Sequence, residues 1–455
     1  MNVATVRSRA VPAYDRLDAH YFTSPGVAAS ERLAVLEAAG APTERLGDLA
    51  AVWDPPRFSR AYAAPLEPSA PYLRPYDVFD YLPEASDRLS RLRNVDLERL
   101  TPPAGTILQT CSGRNLGPLT IADATLAGYA LSHDMIRVDV VDEPLRYYLL
   151  TFLKTPTGQA LLRRSRAGSV IDHITVADVA ALTVPMTTDD VRGAVADRMR
   201  RGVGRAAEAR AALAALLERR AHAMPVPAPS APARDGWAQL STSLTDRLDA
   251  AYYEPRVTAV RATLAAGGAG RLGDLATAHL PARYKRYYVD PEHGRAILSG
   301  RQLLQLEPVN LRYVSDRSFR NPAEYELTAG MTVFGAVGRS EGRQGTPALI
   351  TPERHGWLAS NDVMRLTPRP GIRPGALWLA IAARPTRLQI NALSFGSVID
   401  HMNPWDVEDL LVSDVPDHDA ENAENAWADL SQAVSDITSA VHDLETALAA
   451  PALLR

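Results

Sequence analysis

The sequence predicts an α+β protein: two pseudo-symmetric globular α/β domains separated by two long antiparallel helices that form a coiled-coil spacer. Three observations carry that expectation. The second half of the chain restates the first, each restated block reads as short strand-like runs punctuated by Gly and Pro, and each is followed by a long proline-free stretch.

The restatement is ordered, at a spacing of about 230 residues, too long for a solenoid or propeller repeat and therefore two copies of one globular unit. Arg16-Leu-Asp-Ala-His-Tyr21 returns as Arg247-Leu-Asp-Ala-Ala-Tyr252, and Arg45-Leu-Gly-Asp-Leu-Ala50 returns unchanged as Arg271-Leu-Gly-Asp-Leu-Ala276. Pro55, Arg57, Phe58, Arg60 and Tyr62 align with Pro281, Arg283, Tyr284, Arg286 and Tyr288. Leu131-Ser-His-Asp134 answers to Ala359-Ser-Asn-Asp362, and Gly168-Ser-Val-Ile-Asp-His173 to Gly396-Ser-Val-Ile-Asp-His401. Strand-like runs within the copies include 106–109, 135–141, 331–334 and 363–366.

These blocks divide the chain into a first domain over 1–186, a spacer helix over 187–223, a proline-rich connector over 224–240, a second domain over 241–416 and a C-terminal spacer helix over 417–455. In the second helix Trp427, Leu430, Val434, Ile437, Val441, Leu444 and Leu448 alternate spacings of three and four, which draws a coiled-coil seam. The first carries a weaker seam through Met199, Gly202, Ala206, Ala209, Leu213 and Leu216. Gly202 and Gly204 each cost about 1 kcal/mol relative to alanine in a helix, so a packing reason is expected for them.

Hydrophobic residues make up 46% and charged residues 22% of the 455, a balance that folds rather than stays disordered. The formal net charge of −4 neither draws the whole molecule to nucleic acid nor forbids it, so a DNA-binding face has to come from local clustering. Lysine occurs only at Lys154 and Lys285; the arginine that replaces it suits phosphate and guanine contacts, although a GC-rich genome produces the same bias. The single cysteine, Cys111, excludes an internal disulfide framework and a cysteine-based zinc site and fits a cytoplasmic setting. A signal-peptide pattern and a membrane-spanning apolar run are both missing from the reading, so no membrane partner is expected.

Taken in order, domain, helix, domain copy, helix resembles the specificity subunits of type I restriction-modification systems, and the resemblance covers nearly the whole chain. Local blocks are similar to the family's: Arg45-Leu-Gly-Asp-Leu-Ala50, the stretch Tyr72-Leu-Arg-Pro-Tyr-Asp77 with Ile297-Leu-Ser-Gly-Arg-Gln302 in its place in the second copy, and the closing runs Leu182-Thr-Val-Pro185 and Val412-Ser-Asp-Val-Pro416. The turns at 105–114 and 330–339 also resemble the family pattern but lack its Asp after the first glycine. The resemblance implies a non-catalytic subunit of a phage-defence complex, with two target-recognition domains reading a bipartite double-stranded DNA target. It also implies two DNA methyltransferase subunits as partners, together with a restriction or translocase subunit in a restriction complex. No cofactor belongs to this chain on that view, since S-adenosylmethionine would bind the methyltransferase.

Candidate DNA-binding residues follow from the chemistry of reading, in which base edges specify and phosphate contacts position. Arg283-Tyr-Lys-Arg-Tyr-Tyr288 interleaves cations with aromatics and contributes Arg283, Tyr284, Lys285, Arg286 and Tyr288; its milder counterpart contributes Arg57, Arg60 and Tyr62. Glycine turns, where backbone can approach DNA closely, contribute Ser112, Arg114 and Asn115, and Arg339, Ser340, Arg343 and Gln344. Arg74, Arg301, Gln302 and Asn361 complete the set.

Enzyme readings fare worse. Asp54-Pro-Pro-Arg57 has arginine where an adenine methyltransferase needs an aromatic stacker, and no glycine-rich strand-to-helix turn for S-adenosylmethionine stands out. Serine, aspartate and histidine packed into 169–173 and 397–401 cannot converge as a triad, and the stretch 335–345 lacks the Gly-Lys-Ser/Thr of a phosphate loop. No metal-ligand spacing such as His-Glu-x-x-His recurs, and no metal site is expected. The alternative from another class is a tandem-domain protein-interaction scaffold without direct DNA recognition.

Overall fold

The structure is a computed structural model of the chain and describes residues 24–94, 96–113, 116–164, 173–227, 237–245, 247–337, 343–395 and 401–450. Several sequence expectations lie outside the described residues: the repeat block at 16–21, Arg114 and Asn115, the blocks 168–172 and 396–400, most of the proline-rich connector, and Arg339 and Ser340.

Helices and strands are mixed, and contacts divide the chain into two units. The first comprises the described residues of Met1–Val78, Pro83–Ala207 and Gln432–Arg455; the second comprises Phe79–Leu82 and the described residues of Glu208–Ser431. The division falls inside both long helices, and four residues of the first sequence copy count with the second unit.

In the first unit a four-stranded antiparallel sheet runs in the order Ala51–Trp53, Met135–Asp139, Ile107–Thr110, Leu119–Ile121. A second sheet joins Asp87–Ser90, Ser69–Leu73 and Ala130–Leu131, the last pair parallel. Thr43–Arg45 pairs with Thr183–Pro185. The second unit repeats this plan with one strand more in its second sheet. Its four-stranded sheet runs Ala276–His279, Val363–Pro368, Thr332–Gly335, Ala348–Leu349; Tyr288–Val289, Arg312–Val314, Arg295–Leu298 and Leu358–Ala359 form the other; Gly270–Arg271 pairs with Leu411–Val412.

Local chemistry explains where the helices begin. Asp142 caps the helix Glu143–Lys154 by accepting from the Leu145 N–H at 2.8 Å, and Lys154 sits in its last turn, where the carbonyl end of the dipole favours a cation. Tyr148, Leu149, Leu150, Phe152 and Leu153 of that helix are buried against Ile107, Ile136 and Val138 of the sheet, and they form the core of the first unit. Thr175 and Asp178 form a reciprocal capping box on Val176–Ala180.

The two long helices are Asp189–Ala223 and Asp417–Leu448. Within the first unit Arg198 pairs with Asp443 and Arg205 lies 3.7 Å from Asp436, which makes the pairing antiparallel. Met199, Ile437, Leu444 and Leu448 enter the same buried cluster as the sheet. Within the second unit Leu213, Leu216, Trp427 and Leu430 are buried, and Arg219 meets Asp419 at 3.3 Å. One expectation needs correction: Val434 and Val441 flank the seam half-buried, while Ala433 and Ala440, both fully buried, occupy it. Small residues are favoured there because the backbones approach closely. A Cβ on Gly202 would lie 2.8 Å from Ile437 Cγ1 and 3.1 Å from the Ala433 carbonyl oxygen, whereas a Cβ on Gly204 would meet nothing within 4 Å.

The two glycines are therefore expected to respond oppositely to alanine. Gly202→Ala should lower stability by about 1–3 kcal/mol through overpacking, whereas Gly204→Ala should raise it by about 0.5–1 kcal/mol through helix propensity. Urea denaturation of both variants checks this, and a stabilised Gly202→Ala would contradict the close approach.

Candidate nucleic-acid interface

Each unit presents one segment in which cations alternate with aromatics. In the first unit Arg57 and Ser59 are exposed and Phe58 turns inward onto the small second-sheet core, its ring edge-on to His133 at 5.7 Å. In the second, Arg283 and Lys285 are exposed, and Tyr284 turns inward onto Phe319 at 4.5 Å and Tyr325 at 4.7 Å. The Tyr325 hydroxyl donates to the Ala282 carbonyl at 2.8 Å, which fixes the segment where it starts.

The far end of each segment is held by one repeated device. Ser132 and Asp134 form a serine turn in which the Asp134 N–H donates to Ser132 Oγ at 3.2 Å, and Ser360 and Asp362 do the same at 3.2 Å. Each turn offers its aspartate to the segment's second arginine: Arg60 lies 3.5 Å from Asp134, and Arg286 lies 3.6 Å from Asp362. Arg286 also donates to Ser360 Oγ at 2.9 Å and to Asn361 Oδ1 at 3.0 Å. Partly exposed pairs like these contribute little stability, so they serve mainly to orient the segment. Beyond the arginine, Tyr62 bridges to Leu89 and Tyr288 pairs in register with Val314, so both tyrosines sit at the edge of their sheet, close to half exposed.

The second unit's edge carries more cation–ring pairs. Lys285 Nζ is 5.1 Å from the Tyr287 ring centroid, the Arg312 guanidinium is 4.9 Å from that of Tyr288, and the Arg286 guanidinium is 5.5 Å from that of Tyr284. Tyr287 and Arg312 were not among the sequence candidates.

Other candidates are engaged within the fold. Arg301 Nη1 donates to Asp80 Oδ2 at 2.8 Å, and Arg343 Nη1 lies 3.1 Å from the same oxygen. Gln344, buried, donates to the Ala336 carbonyl at 2.9 Å, and Asn361, buried, donates to Asp362 at 2.8 Å while receiving Arg286. In the structure these side chains bond to partners inside their own unit. The Gln302 amide donates to the Val309 carbonyl at 2.8 Å, its oxygen accepts from the Ser299 N–H at 3.1 Å, and Arg74, though exposed, is held on Asp87 at 2.7 Å. Ser112 bridges to His173 beside Cys111, whose thiol burial pushes up to about 12. Burial likewise holds the His133 imidazole below its usual range despite Asp134 beside it.

Among the buried arginines that escaped the sequence reading, two stand at matching places in the copies. Arg137 donates to the carbonyls of Arg99 and, at 2.7 Å, Leu100. Arg365, at the matching place in the second copy, donates to the carbonyls of Tyr325 at 3.1 Å, Ala359 at 2.8 Å and Val363 at 2.7 Å. Burial lowers both guanidinium pKa values to about 10. An arginine amid the apolar runs Met135-Ile-Arg-Val138 and Val363-Met-Arg-Leu366, present in both copies, was the available signal.

No group of three or more metal-binding side chains occurs among the described residues, and none of their helices is long and apolar enough to cross a membrane. No family model matches the chain, and no curated protein matches it. Among solved structures the chain is similar to the S subunit of a type I restriction-modification system from M. genitalium, at 12% identity and a TM-score of 0.30 over 91% of this chain and 94% of that one. It is similar to the HsdS subunit from Thermoanaerobacter tengcongensis at 13% identity and a TM-score of 0.28, over 91% and 97%. A third similar chain, from work on complex assembly and conformational transition of the type I R-M system, shares 14% identity at a TM-score of 0.29, over 91% and 96%.

Two outcomes are expected from these environments. Arg365→Met should destabilise the protein by about 3 kcal/mol, since three buried carbonyls lose their donor; thermal melting measures the loss, and an unchanged midpoint would contradict the role. Iodoacetamide at pH 8 should leave Cys111 unmodified in the native protein and label it after unfolding, as read by intact mass, because the thiolate is the reactive form.

Proposed function

We propose that this chain is the DNA-sequence specificity subunit of a type I restriction-modification system, reading a bipartite double-stranded target and carrying no catalytic centre of its own. The observation that carries the reading is the twofold occurrence of one exposed arginine-aromatic segment, anchored in each unit by the same arginine–aspartate contact on a serine turn. One such edge could serve any acidic partner. Two copies of it, on units of the same topology, suit a ligand that offers the same backbone twice, as a duplex does.

On this reading the domains over 1–186 and 241–416 are the target-recognition domains, each taking one half of the target. Arg57, Arg60 and Tyr62 serve the first half; Arg283, Lys285, Arg286, Tyr288 and Arg312 serve the second. Phosphate contacts from the arginines and Lys285 set register, and the glycine turns, including Arg114, Asn115, Arg339 and Ser340, approach base edges. The long helices set the unread gap and recruit two methyltransferase subunits, which bind S-adenosylmethionine and methylate adenine; a restriction or translocase subunit joins them where the system cuts. The assembly works in the cytoplasm.

Mapping methylated adenine in a host carrying the methyltransferase partner, with and without this gene, is expected to reveal two short motifs at a fixed spacing that appear only when the gene is present. In the assembled complex, Arg283→Ala and Lys285→Ala should each weaken duplex binding and reduce the slope of log K against log salt by about 0.9. Binding to the partner protein alone, indifferent to duplex and to salt, would instead mark a protein-interaction scaffold.

A further inference from the structure

The two copies agree at the positions that hold the interface segment and disagree at one place beside it. Arg57 and Arg283, Arg60 and Arg286, Tyr62 and Tyr288, and the two serine turns occupy the same stations in both units. One strand further in, the match breaks. Asp87 stands opposite Tyr72, which stands opposite Ala130; Arg312 stands opposite Ile297, which stands opposite Leu358. Two residues on, Leu89 meets the edge tyrosine Tyr62, and Val314 meets the edge tyrosine Tyr288. Asp87 and Arg312 therefore fill one position of the shared frame with opposite charge.

The two charges have different surroundings. Asp87 accepts from Arg74 Nε at 3.1 Å and from Arg74 Nη2 at 2.7 Å. The second copy has no arginine to match Arg74: Leu73 corresponds to Leu298, so the next residue is Ser299, which is bonded to Gln302 at 3.0 Å. Among the described residues no carboxylate pairs with Arg312 and no hydrogen bond engages its guanidinium. Arg312 is exposed, and its guanidinium lies 4.9 Å from the ring centroid of Tyr288, itself about half exposed. Residues two apart in a strand face the same way, so Arg312 and Val314 share a face with Tyr288.

Arg312 also differs in setting from the other cations of this edge. Arg283 and Lys285 precede the strand Tyr288–Val289 and lie in no strand, and Arg286 is engaged by the serine turn. Arg312 stands on an inner strand of its sheet and rests on a ring, which gives its planar fork a fixed attitude. A phosphate contact needs only charge within reach, whereas guanine is recognised by two N–H groups held toward its O6 and N7. The sugar-phosphate backbone is alike in both halves of a target while the base pairs differ. Two copies of one reader therefore keep their phosphate contacts in common and diverge where they meet bases.

We infer, resting on the function proposed above, that Arg312 is a specificity-determining residue: it takes the O6/N7 edge of one guanine in the half of the target met by the second unit. In the first unit, where the same position is a carboxylate paired with Arg74, that contact has no equivalent.

The test uses the full chain assembled with its methyltransferase partner. Methylated adenine mapped in a host expressing both is expected to define a two-part motif with a G·C pair in one half. Arg312→Ala is expected to raise methylation of sites altered at that one pair about tenfold relative to intact sites, which corresponds to about 1.4 kcal/mol of lost discrimination. Every other pair keeps its preference, and Asp87→Ala, at the matching position of the first unit, leaves that pair read as before. Duplex binding by the same assembly gives a second readout. Arg283→Ala weakens all duplexes alike, whereas Arg312→Ala weakens the guanine-bearing duplex and leaves the duplex substituted at that pair unchanged. Arg312 is exposed, so its replacement leaves folding intact. Uniform weakening by Arg312→Ala, relaxation at an A·T pair, relaxation in both halves, or relaxation of the same pair by Asp87→Ala would overturn the assignment. If the unaltered assembly directs no two-part methylation, the functional reading fails and the assignment with it; if it does and Arg312→Ala leaves the motif intact, the assignment alone fails.

Discussion

In each unit a guanidinium buried in an inner strand of the antiparallel four-stranded sheet holds the fold at the point where strands run out. Short strands leave carbonyls without a ladder partner, and a buried carbonyl left unpaired costs about 1–3 kcal/mol. Arg365 meets carbonyls at its own strand's start, on the parallel strand Leu358–Ala359 of the other sheet, at Ser360 and at Tyr325, so it ties two sheets that share no ladder. Arg137 does the same for the end of Leu97–Leu100, and its guanidinium also lies 4.9 Å from the Trp53 ring centroid. With the two sheets joined in this way, the serine turn that leaves the second sheet is held in place, and so is the arginine–aromatic segment docked on it.

The duplication and the long helices were legible in the sequence because they leave signals of long period. Identical blocks such as Arg45-Leu-Gly-Asp-Leu-Ala50 and Arg271-Leu-Gly-Asp-Leu-Ala276 need no three-dimensional knowledge, and seam spacing survives one misassigned residue. The misassignments have a physical cause. Valine outranks alanine in any hydrophobicity reading, so Val434 and Val441 were favoured, yet the buried positions beside Gly202 are held by Ala433 and Ile437.

The candidate interface was half legible. Alternation of charge and ring in Arg283-Tyr-Lys-Arg-Tyr-Tyr288 marked an exposed segment that leads into the strand Tyr288–Val289, and Tyr284 proved to be its inward anchor. The inward partners of Arg301, Arg343 and Gln344 could not be read from the sequence, because a polar residue beside a glycine reads alike whether it faces solvent or a buried group, and Asp80, the partner of the two arginines, lies more than two hundred residues away along the chain. Divergence between copies is clearest beside the edge tyrosines. Where one unit has Asp87 holding Arg74, the other has Arg312 over Tyr288, so a shared frame carries opposite charge at one place.

The buried line on the second long helix, from Leu430 through Ala433, Ile437, Ala440 and Leu444 to Ala447, steps by three and four without a break. Growth or shrinkage of such a helix is quantised. Seven residues added or lost return every large side chain to its former azimuth, whereas four would leave the line displaced by a fraction of a turn and swing leucines toward water. A change in the length of this helix is therefore tolerated best in whole heptads, because intermediate lengths turn part of the buried line out of the seam.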